Sequence, residues 1–225
     1  MNQQELADRY ARVKASIPAG VKLIAVSKTR TVEEIQALYD IGQRAFGENY
    51  PQELRDKQPL LPDDIQWHFI GHLQGNKVKY ISPFVHLVHG VDSERLLNEL
   101  NKRAANAQRT INVLLQLHIA DEETKHGFSP QELRSLFSAG KLTDRWPSLH
   151  FRGLMGMATN TEDLTQVRTE FSGLAALRKE LVGSGAVIPE EFTELSMGMS
   201  GDLAEALAAG STMVRIGTAI FGERR

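Results

Sequence analysis

Along this chain, short apolar or β-branched runs alternate with amphipathic stretches, and turn residues mark the changes. Eight runs read as strands, at about Leu23 to Ser27, Ala45 to Glu48, Trp67 to Ile70, Leu87 to Val91, Ile111 to Ile119, Phe151 to Met155, Thr193 to Met197 and Met213 to Gly217. A leading helix is expected over residues 2 to 17, ended by Pro18-Ala19-Gly20, with later helices at Pro130 to Ala139, Glu162 to Leu181 and Asp202 to Ala209. In Thr31-Val32-Glu33-Glu34 the threonine can cap a helix while Glu34, three residues on, reaches back to the cap amide, which marks another helix start.

Eight strand–helix units after one leading helix, with no linker rich in proline, glycine or serine, predict a single-domain (β/α)8 TIM-type barrel over residues 1–225. An open doubly wound sheet is the alternative. The 225 residues fall short of the roughly 250 typical of such barrels, so the loops should be tight. Composition agrees: 41% hydrophobic and 24% charged residues can build one large core. No segment approaches the roughly 20 apolar residues that span a bilayer, and the N-terminus lacks a basic-then-apolar signal pattern, so a cytoplasmic protein without a membrane partner is expected. The absence of cysteine excludes disulfides, thiolate metal sites and cysteine nucleophiles. A net charge of −2 with scattered basic residues gives nucleic acid no electrostatic footprint.

In a barrel, chemistry belongs at the C-terminal strand ends. There the chain places Lys28 after strand 1, Glu48-Asn49 after strand 2, Gly71-His72 after strand 3, Met155-Gly156-Met157 after strand 6, Gly198-Met199-Ser200-Gly201 after strand 7 and Gly217-Thr218 after strand 8. A lysine past a buried strand is ordinarily just the point where the chain reaches water. At a barrel mouth, desolvation or a nearby cation could leave its amine neutral and nucleophilic toward carbonyls, which suits a Schiff base. The loops from Ser196 to Asp202 and from Arg215 to Thr218 offer backbone N–H groups and close approach to an anion, although helix capping explains many such loops. A lysine at one end and phosphate-binding loops at the other describe a ligand with an aldehyde and a phosphate, which is pyridoxal 5′-phosphate. An arginine facing its pyridine nitrogen, as Arg215 could, would keep that nitrogen unprotonated and weaken the ring as an electron sink.

Ala25-Val26-Ser27-Lys28, Phe46-Gly47-Glu48-Asn49-Tyr50 with Gln52-Glu53, Trp67-His68-Phe69-Ile70-Gly71-His72-Leu73-Gln74, Gly153-Leu154-Met155-Gly156-Met157, Leu195-Ser196-Met197-Gly198-Met199-Ser200 and Val214-Arg215-Ile216-Gly217-Thr218 occur in order over nearly the whole chain. This set closely resembles the pyridoxal phosphate homeostasis protein family. The resemblance implies a barrel of the same fold type as the N-terminal domain of alanine racemase, with the cofactor as an aldimine on Lys28. It further implies phosphate against Ser196, Ser200, Gly217 and Thr218, Asn49 beside the ring and Arg215 toward the pyridine nitrogen. Pro51, where a less rigid residue is more usual, bears on the local helix start.

Family members are described as cofactor-binding proteins that influence pyridoxal phosphate supply, without an established reaction. A racemase of this fold type needs a second base, a tyrosine on an additional C-terminal domain. The chain ends at Arg225 directly after strand 8, and of Tyr10, Tyr39, Tyr50 and Tyr80 only Tyr50 lies close to a strand end. A carrier with no catalytic residue is therefore expected, a monomer that gives up its cofactor to amines such as free amino acids or apo pyridoxal phosphate-dependent enzymes. The competing class is a weak racemase-like enzyme with Lys28 as sole base. A metal-dependent hydrolase built on His68 and His72, or His86 and His89, would need a third ligand and an ordering carboxylate, and no metal is expected. Asp121 to Gly127 reads as a solvated loop whose Lys125 and Gly127 could border the ligand. Met155, Met157, Met197 and Met199 read as barrel filling that could also line the cofactor, and Met155 is counted among its contacts.

Overall fold

In the computed structural model, which describes residues 3–122 and 125–223, eight parallel strands close into a barrel in chain order. They are β1 (Lys22–Val26), β2 (Ala45–Glu48), β3 (Gln66–Phe69), β4 (Leu87–Val91), β5 (Ile111–Leu117), β6 (Leu149–Gly156), β7 (Glu194–Ser196) and β8 (Met213–Ile216). Pairing of β8 back onto β1, from Lys22 opposite Met213 to Ala25 opposite Ile216, closes the sheet and removes the open doubly wound alternative. The expected strands are present with ends moved by up to two residues. Strand β7 keeps only three, because Gly198 turns the chain at φ +97°, where an added Cβ would lie 2.5 Å from Ala206.

The helices are α1 (Gln3–Ala15), α2 (Val32–Asp40), α3 (Pro51–Lys57), α4 (Glu94–Asn106), α5 (Pro130–Ser138), α6 (Leu142–Arg145), α7 (Leu164–Val182), α8 (Leu203–Ala208) and α9 (Thr218–Phe221). Asn2 of the expected leading helix lies outside the described residues. Helix α2 starts as anticipated, with Thr31 accepting from the Glu34 amide and Glu34 accepting from the Thr31 amide. Pro51 occupies the first turn of α3, where its missing N–H costs nothing, so the unusual proline fits the helix start. The third unit departs from the pattern: the 3-10 turns of Gly75–Tyr80 stand where a helix would join β3 to β4. None of the described helices is long and apolar enough to cross a membrane.

Strand alternation divides the core. Side chains pointing outward, such as Phe46, Trp67, Phe69 and Leu115, meet Ile35, Leu97, Phe171 and Phe192 from the surrounding elements in one continuous apolar layer. The barrel interior holds a small cluster of Leu87, Leu114, Met155 and Met213. Beside it lie buried polar groups, His68, His89, Ser196 and Arg215.

Candidate functional site

At the C-terminal mouth of the barrel, a cavity of about 290 Å³ is lined by Val26, Lys28, Arg30, Asn49, Ile70, Met157, Met199, Ser200, Gly201, Arg215, Gly217 and Thr218. Six of the residues singled out from sequence meet there: Lys28, Asn49, Ser200, Arg215, Gly217 and Thr218. Ser196 and Met155 do not reach its wall. Both are fully buried one layer deeper, where Met155 packs in the interior cluster and the Ser196 hydroxyl is engaged by Arg215 and His89. Just past the end of β6, Met157, also among the methionines expected to line the cofactor, stands in the wall where Met155 does not.

The segment carrying Lys28 is held from behind. Ser27 donates its amide to the Gly47 carbonyl at 2.9 Å and its hydroxyl to Glu48 at 2.7 Å. The Lys57 ammonium of α3 then donates to Ser27 O at 2.9 Å, to Glu48 at 2.8 Å and to Glu53 at 2.5 Å. Thr29 adopts φ +63°, uncommon for a β-branched residue, and its amide donates to Glu53 at 2.7 Å. Burial pushes the Glu48 carboxyl above its ordinary range while Lys57 and Ser27 pull it down. The sequence marked Glu48 at the end of strand 2 and Glu53 only as part of a motif, and did not mark Lys57. The signal available was spacing, since Glu53 and Lys57 lie four apart on α3 and share a face.

Beside the β1 end that carries Lys28, since β8 pairs with β1, the loops after β7 and β8 supply donors. The amides of Ser200 and Gly201 have no protein acceptor among the described residues, and the Met199 amide is taken by Asp202 at 2.5 Å. An added Cβ on Gly201 would meet nothing within 4 Å, while one on Gly217 would come within 3.2 Å of Val26. Helices α8 and α9 are six and four residues long, so the loop amides and hydroxyls, rather than helix dipoles, are the donors this corner offers.

Arg215 reaches the cavity from β8. Its Nη1 donates to Ser196 Oγ at 2.7 Å and its Nη2 to the Gly156 carbonyl at 3.2 Å. Burial brings its pKa down to about 10, with Asp202 opposing, so the guanidinium remains charged at neutral pH. Asn49 Oδ1 is buried on the cavity wall with no hydrogen-bond partner among the described residues.

Other candidates lie elsewhere. His68 is inside the barrel and His72 is exposed at the rim, so that pair does not converge. His72 instead meets Asp92 at 3.0 Å and stacks on His126, with ring centroids 4.0 Å apart. These three side chains bring possible ligand atoms within 4.8 Å of one another at the exposed rim, away from the cavity wall. In the loop 121–127, Glu123 and Thr124 lie outside the described residues, and Lys125 bonds Glu122 and the Ala158 carbonyl and is absent from the cavity wall. Tyr50 is 51% exposed and lines no part of the cavity.

A family model described as alanine racemase, N-terminal domain, matches residues 1–225. The chain is 43% identical over 222 residues to the pyridoxal phosphate homeostasis protein of Vibrio alginolyticus, covering 96% of this chain and 92% of that one. It is 39% identical over 233 residues to the human protein of the same name, covering 99% and 82%. Among solved structures, PipY of Synechococcus elongatus with PLP bound superposes with a TM-score of 0.86 at 33% identity, covering 96% of this chain and all of PipY.

Proposed function

The chain belongs to the alanine racemase N-terminal domain family, and on that premise we propose that it binds pyridoxal 5′-phosphate through Lys28 and holds it reversibly for buffering or delivery. The observation behind this reading is that one cavity joins the lysine after β1 to the donor-bearing loops after β7 and β8. PipY, at 33% identity, carries PLP on the same architecture. The residues present fit the cofactor: an unpartnered buried acceptor on Asn49, free amides at Ser200 and Gly201, and a cation on Arg215 with no carboxylate paired to it among the described residues.

Pyridoxal phosphate supplies an aldehyde that condenses with amines and a dianionic phosphate that anchors it. Lys28 offers the amine, positioned by the Lys57 network. Ser200, Gly201, Gly217 and Thr218 receive the phosphate through amides and hydroxyls, Asn49 stands beside the ring, and Val26, Ile70 and Met157 give apolar walls. Arg215 is a donor that cannot accept, so it suits an unprotonated ring nitrogen and disfavours carbanion chemistry.

Among the described residues, the lining includes no carboxylate, histidine or tyrosine, which supports a carrier over a racemase needing a second base. Incoming amines, from free amino acids or apo enzymes, then take the aldehyde from Lys28. The test is borohydride reduction after adding pyridoxal phosphate, with peptide mass mapping, on the unaltered protein and Lys28→Ala. A pyridoxyl group confined to Lys28 is expected. Label spread over surface lysines and unchanged by the substitution would overturn the reading, and stereospecific loss of amino-acid α-hydrogen would favour the racemase-like alternative.

A further inference from the structure

Inside the barrel, a line of polar side chains runs from the cavity wall toward the opposite end: Arg215 of β8, Ser196 of β7, His89 of β4 and His68 of β3. Arg215 Nη1 meets Ser196 Oγ at 2.7 Å, His89 Nδ1 meets the same oxygen at 2.8 Å, and His89 Nε2 meets His68 Nδ1 at 2.8 Å. Each member is buried, and Ser196, His89 and His68 are fully so. None of them forms a salt bridge among the described residues, which is unusual for a column that includes a buried guanidinium.

The polarity of this column follows from counting donors. Arginine only donates, so Ser196 Oγ accepts from it, and the hydroxyl has a single hydrogen to give. Burial holds both imidazoles well below their ordinary pKa, helped by His89, His86 and Lys22 at His68 and by Arg215, Lys22 and His86 at His89, so each ring carries one N–H. If Ser196 donates to His89 and His89 to His68, one group is left over, the N–H at His68 Nε2, which has no partner among the described residues. If the order runs the other way, the serine hydrogen and His68 Nε2 are both stranded. The first arrangement costs less, so every donor points away from the cavity and the serine lone pairs face Arg215.

We propose that Ser196 and His89 are positioning residues for Arg215: a chain of neutral dipoles fixes the guanidinium, leaves its charge unquenched, and turns its remaining N–H groups toward a ligand edge that accepts hydrogen bonds. A carboxylate in the same place would hold the arginine equally well but cancel its charge. This rests on the pyridoxal phosphate reading and deepens it, since the ligand edge is then an unprotonated ring nitrogen. It also gives Ser196 a role behind the ring rather than on the phosphate.

The experiment uses the full chain loaded with pyridoxal phosphate, comparing the unaltered protein with Ser196→Ala and Ser196→Thr. The readouts are the absorption spectrum of the bound cofactor, its dissociation rate, and the thermal midpoint of the unloaded protein. Losing a hydrogen bond to a charged group should speed dissociation about tenfold in Ser196→Ala and shift the absorption band. Ser196→Thr, which keeps the hydroxyl, should restore both. Unchanged spectrum and dissociation in Ser196→Ala, or effects that follow only the thermal midpoint and are not rescued by threonine, would overturn the column while leaving the cofactor site intact. Failure of the unaltered protein to take up pyridoxal phosphate would overturn the underlying reading as well.

Discussion

Lys57 shows how far a residue away from the cavity wall can control what happens on it. Its ammonium is buried against three acceptors, two carboxylates and the Ser27 carbonyl, so the segment that presents Lys28 is tied to α3 by charge-assisted bonds. Lys57→Met removes the cation and leaves Glu48, which is fully buried, without its counter-charge. Breaking one side of a buried pair costs about 3–5 kcal/mol, and protonation of Glu48, already favoured by burial, should keep the loss near the lower end. Urea unfolding at neutral pH measures this, and adding Glu48→Gln to Lys57→Met should recover part of the loss. A loss below about 1 kcal/mol, the scale of exposed pairs, would mean that water reaches the network.

At the scale of elements, α2 follows the Lys28 segment directly, and its start rests on the Thr31 and Glu34 capping box. Thr31→Ala should cost about 1 kcal/mol and Thr31→Ser only a few tenths, measured by the same unfolding. Equal costs for both would mean that the threonine methyl, not the cap, matters. This element was legible because its information is local, as were the apolar runs that became β2 and β4 with unchanged ends. The connection after β3 was not, since Gly75 to Tyr80 forms 3-10 turns where helical spacing alone cannot separate the two forms. Site residues divide in the same way. Lys28, Ser200 and Thr218 follow from lying just past strand ends, whereas the depth of Ser196 and Met155 depends on β7 ending at Ser196 and on where the barrel's interior layer falls. The histidine column was illegible for a related reason, because only closure brings β3, β4, β7 and β8 around one interior.

That closure has a consequence for the whole molecule. An imidazole buried inside the barrel stays neutral, and here His89, His86 just before β4 and Lys22 on β1 oppose protonation of His68, while Arg215 on β8, Lys22 and His86 oppose that of His89. Their pKa values in the fold lie well below the ordinary 6.5, while the unfolded chain recovers that ordinary value. As the pH falls below about 6.5, the unfolded state binds protons first, so stability is complete above that pH and drains as the solution becomes more acid. Two such groups give a slope of up to about 2.7 kcal/mol per pH unit, to which the less buried His86 adds in the same direction. Urea unfolding at pH 7.5, 6 and 5 follows the loss, as set out in the linkage relation. His68→Gln removes one titrating group while leaving the Arg215, Ser196 and His89 bonds in place, and it should reduce the slope by close to half of the two-histidine share. An unchanged slope in that variant would show that the His68 imidazole is protonated as readily in the barrel as in the unfolded chain, and that burial does not hold it neutral.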